Sequence, residues 1–259
     1  MSKKIFVCLK QVPDTETRFK ISDPDTKFDT STIKWIVNPY DEFAIEEALK
    51  LKAQFPDCST IALSGGPKSR VGEALRTALA MGIDEAILLH FEKDWPSAFT
   101  LAKAFAQVIR SEGDPLVILT GKMAIDDHSS LFGPMLAAAL EMPFVSLVSS
   151  ASWNSDHGIL GRELEGGVRE KVRVSLPAVV TCNKGLNTPR YPSLPGIMKA
   201  KKKTIKEVDI SAQINVPEGL ELNRLTYPPE RPAGKILSGS IDAQVTELVT
   251  LLRNEAKVL

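Results

Sequence analysis

The densest collection of chemically useful side chains lies in residues 121–133, Gly121-Lys122-Met123-Ala124-Ile125-Asp126-Asp127-His128-Ser129-Ser130-Leu131-Phe132-Gly133. Asp126, Asp127 and His128 are the residue types of a metal site or an acid–base cluster. Adjacent residues do not converge on one point, however, and no second carboxylate–histidine set accompanies them. The run is therefore read as a capped, hydrogen-bonded loop, with no catalytic residue and no metal ligand assigned. Three further segments have the glycine, proline and polar residues of strand-to-helix turns: residues 10–15, residues 37–41 with Asn38, Pro39, Tyr40 and Asp41, and residues 64–68 with Gly65. The chain has no GxGxxG, no GxxxxGK[ST] and no nucleophile elbow, which argues against a simple dehydrogenase or a P-loop NTPase. Ser64-Gly65-Gly66-Pro67-Lys68-Ser69 resembles the SGGxDS loop of adenylating ATP pyrophosphatases, with Lys68 where that family has aspartate.

Such loops need a scaffold that brings them together. Apolar runs rich in Val, Ile and Leu recur at residues 5–9, 60–63, 86–89, 116–119, 144–148 and 178–181, without the alternation of a half-wet strand. They suit strands buried on both faces of a parallel sheet. Helical periodicity falls between them, at 38–55, 70–81, 96–111 and 131–141. Asn38 is a good N-cap residue, Pro39 suits a first helical position, and Asp41 and Glu42 favour the positive helix start. The alternation predicts an α/β, doubly wound, mainly parallel, Rossmann-like sheet. In that fold the four loops fall at the carboxyl edge of the strands, where ligands meet helix N-termini.

After about residue 150 the pattern changes. Residues 152–161 read as a turn-rich connection into a polar strand pair around 163–174, an antiparallel excursion at the sheet edge. From Pro189 onward prolines recur beside Lys199, Lys201, Lys202 and Lys203. This suggests a nucleotide-binding domain over 1–188 and an arm over 189–259 that packs on another subunit and ends in an amphipathic helix at 241–255.

Lys plus Arg and Asp plus Glu both total 32, so no global field draws the chain to nucleic acid or to an anionic membrane. The lysine cluster lacks the interleaved aromatics of a nucleic-acid site and reads as a solvated face beside an interface. Cys8, Cys58 and Cys182 form neither a CxxC pair nor a disulfide framework. Five apolar residues at 5–9 are too few for a signal core or a membrane span. The expectation is a cytoplasmic protein without direct membrane insertion.

Several segments together resemble the β subunit of electron transfer flavoproteins over nearly the whole chain: Leu9-Lys10-Gln11-Val12-Pro13-Asp14, Asn38-Pro39-Tyr40-Asp41-Glu42-Phe43-Ala44-Ile45-Glu46-Glu47-Ala48, Arg76-Thr77-Ala78-Leu79-Ala80-Met81-Gly82, Gly121-Lys122-Met123-Ala124-Ile125-Asp126-Asp127, Leu176-Pro177-Ala178-Val179-Val180-Thr181 and Arg190-Tyr191-Pro192-Ser193-Leu194-Pro195-Gly196-Ile197-Met198-Lys199-Ala200-Lys201-Lys202-Lys203. The resemblance implies a heterodimer whose larger α subunit holds most of an FAD, while the β subunit carries AMP. Such a dimer takes electrons from flavin dehydrogenases, as in fatty acid oxidation, and passes them to a quinone oxidoreductase. The β chain is then an electron carrier subunit and not itself an enzyme. By position, the resemblance places nucleotide contacts on Cys8, on Asn38, Pro39, Tyr40 and Asp41, on Gly65, and on Lys122 through Gly133. It makes residues 191–203 the recognition loop for the dehydrogenase, with Leu194 as anchor and Tyr191, Pro195, Ile197, Met198 and Lys199 around it.

One departure bears on the nucleotide. The family ends its phosphate loop in a polar set, whereas this chain has Ser130-Leu131-Phe132-Gly133. Leu131 and Phe132 donate no side-chain hydrogen bond. The alternatives are AMP held by backbone amides, or Phe132 filling part of the pocket. Bifurcating members, with a second FAD in place of AMP, typically carry a glycine-containing loop; Asp126-Asp127-His128-Ser129 looks more like the one-flavin type.

Overall fold

The computed structural model describes residues 3–22, 27–91, 96–210, 223–231 and 233–259. The chain begins with β1 (Lys4–Leu9) and β2 (Gln11–Pro13), then β3 (Ile21–Ser22), β4 (Lys27–Phe28) and β5 (Trp35–Val37). Next come α1 (Pro39–Gln54), β6 (Ser59–Gly66), α2 (Lys68–Met81), β7 (Glu85–His90), α3 (Ala98–Glu112), β8 (Pro115–Gly121) and α4 (Phe132–Leu140). The hairpin strands β9 (Phe144–Trp153), β10 (His157–Glu163) and β11 (Arg169–Ser175) precede β12 (Ala178–Cys182), α5 (Leu194–Lys202), β13 (Lys206–Asp209) and α6 (Ile241–Asn254).

Nine strands form one sheet in the order β11-β10-β9-β12-β8-β1-β6-β7-β13, parallel except for β9-β10-β11. The doubly wound, mainly parallel sheet expected from the apolar runs is thus the fold. Side chains along β1 alternate between two cores. Ile5, Val7 and Leu9 pack with α1 and α2, whereas Phe6 and Cys8 pack with α3 and α4. Helices on both faces are what continuous apolar runs require. The chain steps outward from β1 to β6 and β7, then returns to place β8 on the other side of β1. The β1/β8 boundary is therefore the switch point, where the loops following the two strands diverge to opposite faces and leave a crevice.

Three differences from the sequence reading have physical causes. β9 runs on to Trp153 and β10 begins at His157, so the connection read over 152–161 shrinks to residues 154–156. Trp153 makes this possible: its indole Nε1 donates to buried Glu47 of α1 at 2.8 Å, holding the end of the strand onto a helix. The antiparallel excursion itself lies at the sheet edge as expected.

Second, residues 194–202 form helix α5 despite the surrounding prolines. Ser193 accepts from Gly196 N at 3.2 Å, Pro195 sits in the first turn where no intrahelical donor is needed, and Lys199, Lys201 and Lys202 lie in the last turn, near the negative helix end. Third, β13 adds to the sheet by pairing with β7. The sheet therefore recruits chain beyond residue 188, and the larger compact unit spans Met1–Asn223. The smaller unit, Arg224–Leu259, contains α6, capped by Ser240, with a Lys235–Glu247 ion pair and with Ile241, Val245 and Leu248 exposed.

Candidate functional site

The switch-point edge is built around two buried polar residues at the start of α1. Asn38 occupies the N-cap position, but its side chain caps nothing. Its Nδ2 donates to Met123 O at 2.9 Å and to Asp41 Oδ1 at 3.0 Å, and its Oδ1 accepts from Ile125 N at 3.2 Å. Asp41 reaches both loops of the crevice. Its Oδ2 accepts from Lys10 N at 2.7 Å, just after β1, and its Oδ1 accepts from Gly121 N at 2.9 Å, at the end of β8. Two side chains one helical turn apart thus hold three backbone segments in register. Burial pushes the Asp41 carboxyl up to about 7, against the opposing effect of its hydrogen bonds from Lys10 N, Asn38 and Gly121 N and of the Lys10 charge.

Gly121 is required by this closeness. A Cβ there would lie 2.3 Å from Asp41 Oδ1 and 2.8 Å from the Tyr40 backbone carbon. Above it, Lys10 Nζ bridges Asp126 Oδ1 and Asp127 Oδ2, each at 2.8 Å. Burial raises the Asp127 carboxyl, but hydrogen bonds from Lys10 and Ser129 N outweigh it, and the net shift is downward. Asp127 Oδ1 also accepts from Ser129 N at 2.9 Å, and His128 and Ser130 take positive φ of 51° and 54°. Lys122 Nζ lies 4.7 Å from the Tyr40 ring centroid, a cation–π contact. The loop is internally bonded, and among the described residues no group of three His, Cys, Asp or Glu side chains could hold a metal.

The loop ends at α4. Leu131 is its N-cap residue and gives no side-chain cap; in the first turn Phe132 and Gly133 carry backbone N–H groups, whereas Pro134 has none. Leu131 is exposed, whereas Phe132 is half-buried and meets Phe105 of α3 edge-on, with centroids 5.1 Å apart. Phe132 therefore packs into the helix layer. Gly133 is tight against the sheet, where a Cβ would meet Thr181 Cγ2 at 2.5 Å.

The remaining candidates are less polar than the sequence suggests. The Cys8 thiol is buried among apolar side chains of the α3/α4 core, and burial, then the Asp41 charge, raises its pKa well above the ordinary thiol range. A Cβ on Gly65 would meet Phe105 and Phe91 at 3.0 Å, so aromatic packing accounts for this glycine. Ser64 Oγ donates to Leu9 O at 2.8 Å and Lys68 pairs with Glu207 at 2.8 Å, which leaves the SGG loop engaged in packing and ion pairing.

Residues 190–203 form a second, separate surface. Tyr191 is 94% exposed and Leu194 73%, with Pro195, Ile197, Met198 and Lys199 also exposed. The helix beneath them is held closely: Gly196 lies against α2, where a Cβ would meet Ala80 O at 2.4 Å, and Ala200 is buried. Arg76 of α2 donates to Ala200 O and Lys203 O, and Lys203 Nζ donates to Ile83 O at 2.9 Å and Asp84 O at 2.8 Å. Sequence reasoning did not single out Lys10 or Arg76 for these roles. The opposite charge of Lys10 and the Asp126-Asp127 pair was a visible hint, but their juxtaposition depends on β1 and β8 being neighbours.

These features define a doubly wound α/β protein with a tightly bonded loop cluster at its switch point and a rigidly mounted apolar surface elsewhere. A family model for the electron transfer flavoprotein domain matches residues 25–213. The chain is 39% identical to the electron transfer flavoprotein subunit beta of Bacillus subtilis (strain 168), covering 98% of this chain and 99% of that one. It is 38% identical to the mitochondrial subunit beta of Oryza sativa subsp. japonica, over 99% of this chain and 100% of that one. It is 36% identical to the human subunit beta, over 89% and 91% respectively. The chain belongs to the electron transfer flavoprotein family, among its β subunits.

Proposed function

We propose that this chain is the small subunit of a heterodimeric electron carrier, paired with an α subunit that holds most of an FAD. It carries a structural nucleotide at the β1/β8 crevice and docks flavin dehydrogenases through residues 191–199. FAD, when bound, supplies the electron chemistry; this chain binds and orients. No acid, base or nucleophile of its own is assigned, and electrons pass onward to a quinone oxidoreductase. None of the described helices is long and apolar enough to cross a membrane. A cytoplasmic setting is the expectation this reading carries, and the rice relative is named mitochondrial.

Three observations support an adenine nucleotide such as AMP at this edge: the α4 start has Phe132 and Gly133 amides without a side-chain cap, Gln11 beside Lys10 is buried with an Oε1 that finds no partner among the described residues, and Phe132 is turned into the helix layer. The non-glycine loop 126–129 supports AMP over a second FAD.

The observation that carries the reading is the exposed Leu194 on a helix fixed from below, the form of a preorganised anchor. Leu194→Ala, in the purified heterodimer, is expected to lower the kcat/KM of reduction by a flavin dehydrogenase about tenfold or more, with FAD content and thermal midpoint unchanged. Unaltered kinetics would remove Leu194 from this role. Failure of the chain to form an FAD-containing complex with an α subunit would end the whole reading.

A further inference from the structure

The strap between β12 and α5 is fastened to α1 at several points just before the exposed segment begins. Asn187 Nδ2 donates to Phe43 O and to Glu47 Oε2, both at 3.0 Å. Glu47 is itself held by the Trp153 indole and by Lys50. Three residues later Arg190 meets Glu46 as a fork: Nε to Oε2 and Nη2 to Oε1, both at 2.8 Å, with the Arg190 backbone N 3.2 Å from Oε2. The Glu46 side chain is 9% exposed and the Arg190 side chain 50% exposed. Burial raises the Glu46 carboxyl, the Arg190 hydrogen bonds and charge pull it below its ordinary value, and the pair is charged at neutral pH.

The next residue, Tyr191, is almost fully exposed, and the next fixed point is Ser193, which caps α5. The segment bearing Tyr191 and Leu194 is therefore clamped at both ends, by the Glu46 fork on α1 and by Gly196 and Ala200 on α2. A single-point charge contact would leave a torsional freedom before Tyr191 that a bidentate pair plus a backbone hydrogen bond removes.

We propose that Arg190 is a positioning residue for dehydrogenase docking, its two-pronged bond to Glu46 fixing the path of the chain into Leu194 so that the anchor is presented in its binding geometry before encounter. The role is geometric. Arg190 does not enter the partner's pocket, and its charge is committed to Glu46. This rests on the docking role of Leu194 proposed above.

Arg190→Lys keeps the charge and loses the fork, so it separates geometry from steering. In the heterodimer it is expected to raise the KM for the heterodimer as electron acceptor of a flavin dehydrogenase about fivefold, the equivalent of ordering one or two additional side chains on binding. kcat, FAD content and the salt dependence of the reaction stay as in the unsubstituted protein. In a Leu194→Ala background the same substitution is expected to add less than about twofold, because the two act through one contact. If Arg190→Lys leaves KM unchanged while Leu194→Ala raises it, docking stands and the positioning role is overturned. If the two effects simply multiply, Arg190 acts independently of the anchor and the proposal is likewise overturned. If Leu194→Ala itself leaves KM unchanged, the docking reading falls, and this inference with it.

Discussion

The switch-point edge and the residue 190–203 surface solve opposite problems with the same economy of parts. At the edge, charged and amide side chains are buried and bonded to backbone: Asn38 and Asp41 between them engage Lys10, Gly121, Met123 and Ile125. At the surface, apolar side chains are left in water and the backbone beneath is fixed by small residues and an arginine fork. Buried polar groups become stabilising only when every partner is present, so the first region has little tolerance for change. Exposed apolar groups contribute little to folding, so the second tolerates truncation of its outward side chains while depending on its mounting. Buried polar bonding and exposed apolar surface are therefore carried by different residues.

The largest effect is expected where that contrast is sharpest. Gly121→Ala sets a methyl 2.3 Å from the Asp41 carboxylate and 2.8 Å from the Tyr40 backbone. Asp41 cannot swing away without releasing Lys10 N, Gly121 N and Asn38 at once. Combined overpacking and lost buried hydrogen bonds are expected to cost at least about 4 kcal/mol, read as a fall in the urea midpoint of the heterodimer. A cost of about 1 kcal/mol or less would show that the edge yields as easily as the surface, and the contrast would be lost.

Asp41 offers a gentler probe. Its folded-state pKa, about 7, lies above the value of about 3.9 expected in the unfolded chain. The folded form then binds more protons between these values, so the contribution of this group to stability is greatest below about pH 4 and is lost as pH rises through about 7. Between pH 5 and pH 8 the unsubstituted protein should lose on the order of 2 kcal/mol more than Asp41→Asn, which does not titrate. Urea unfolding at the two pH values measures this. Parallel losses in both proteins would mean that Asp41 is already ionised at pH 5 and that burial does not dominate its environment.

How much of this was legible beforehand follows from the range of the interactions. Apolar runs and helix-start residues act locally, and the six sheet strands they marked and the helix at 38–55 are found within a few residues. Asn38 and Asp41 were chosen for capping and dipole reasons that are local too. Their observed work, tying 121–125 to residue 10, is not local and depends on β8 lying beside β1. The helix at Leu194–Lys202 was hidden by prolines, and its stability comes from packing of Gly196 and Ala200 on α2 as much as from its own residues. Arg190 read only as part of a family motif, because Glu46 lies 144 residues earlier in the chain.

The smallest expected effect on stability falls at Leu131, between the two kinds of surface. Leu131 is exposed at the uncapped start of α4, whereas its neighbour Phe132 is committed to Phe105. Exchanging both for polar residues would therefore mix a binding change with a packing loss of roughly 2–4 kcal/mol at Phe132. Leu131→Gln alone is the clean variant, with stability expected to stay within about 0.5 kcal/mol. If the amides at the α4 start hold a phosphate, a side-chain donor added at residue 131 should raise the AMP retained per FAD when the purified heterodimer is denatured and its nucleotides are separated by chromatography. Unchanged retention near one AMP per FAD would mean that backbone amides suffice. No AMP in either protein would remove the nucleotide from this edge and leave its buried network with a purely structural task.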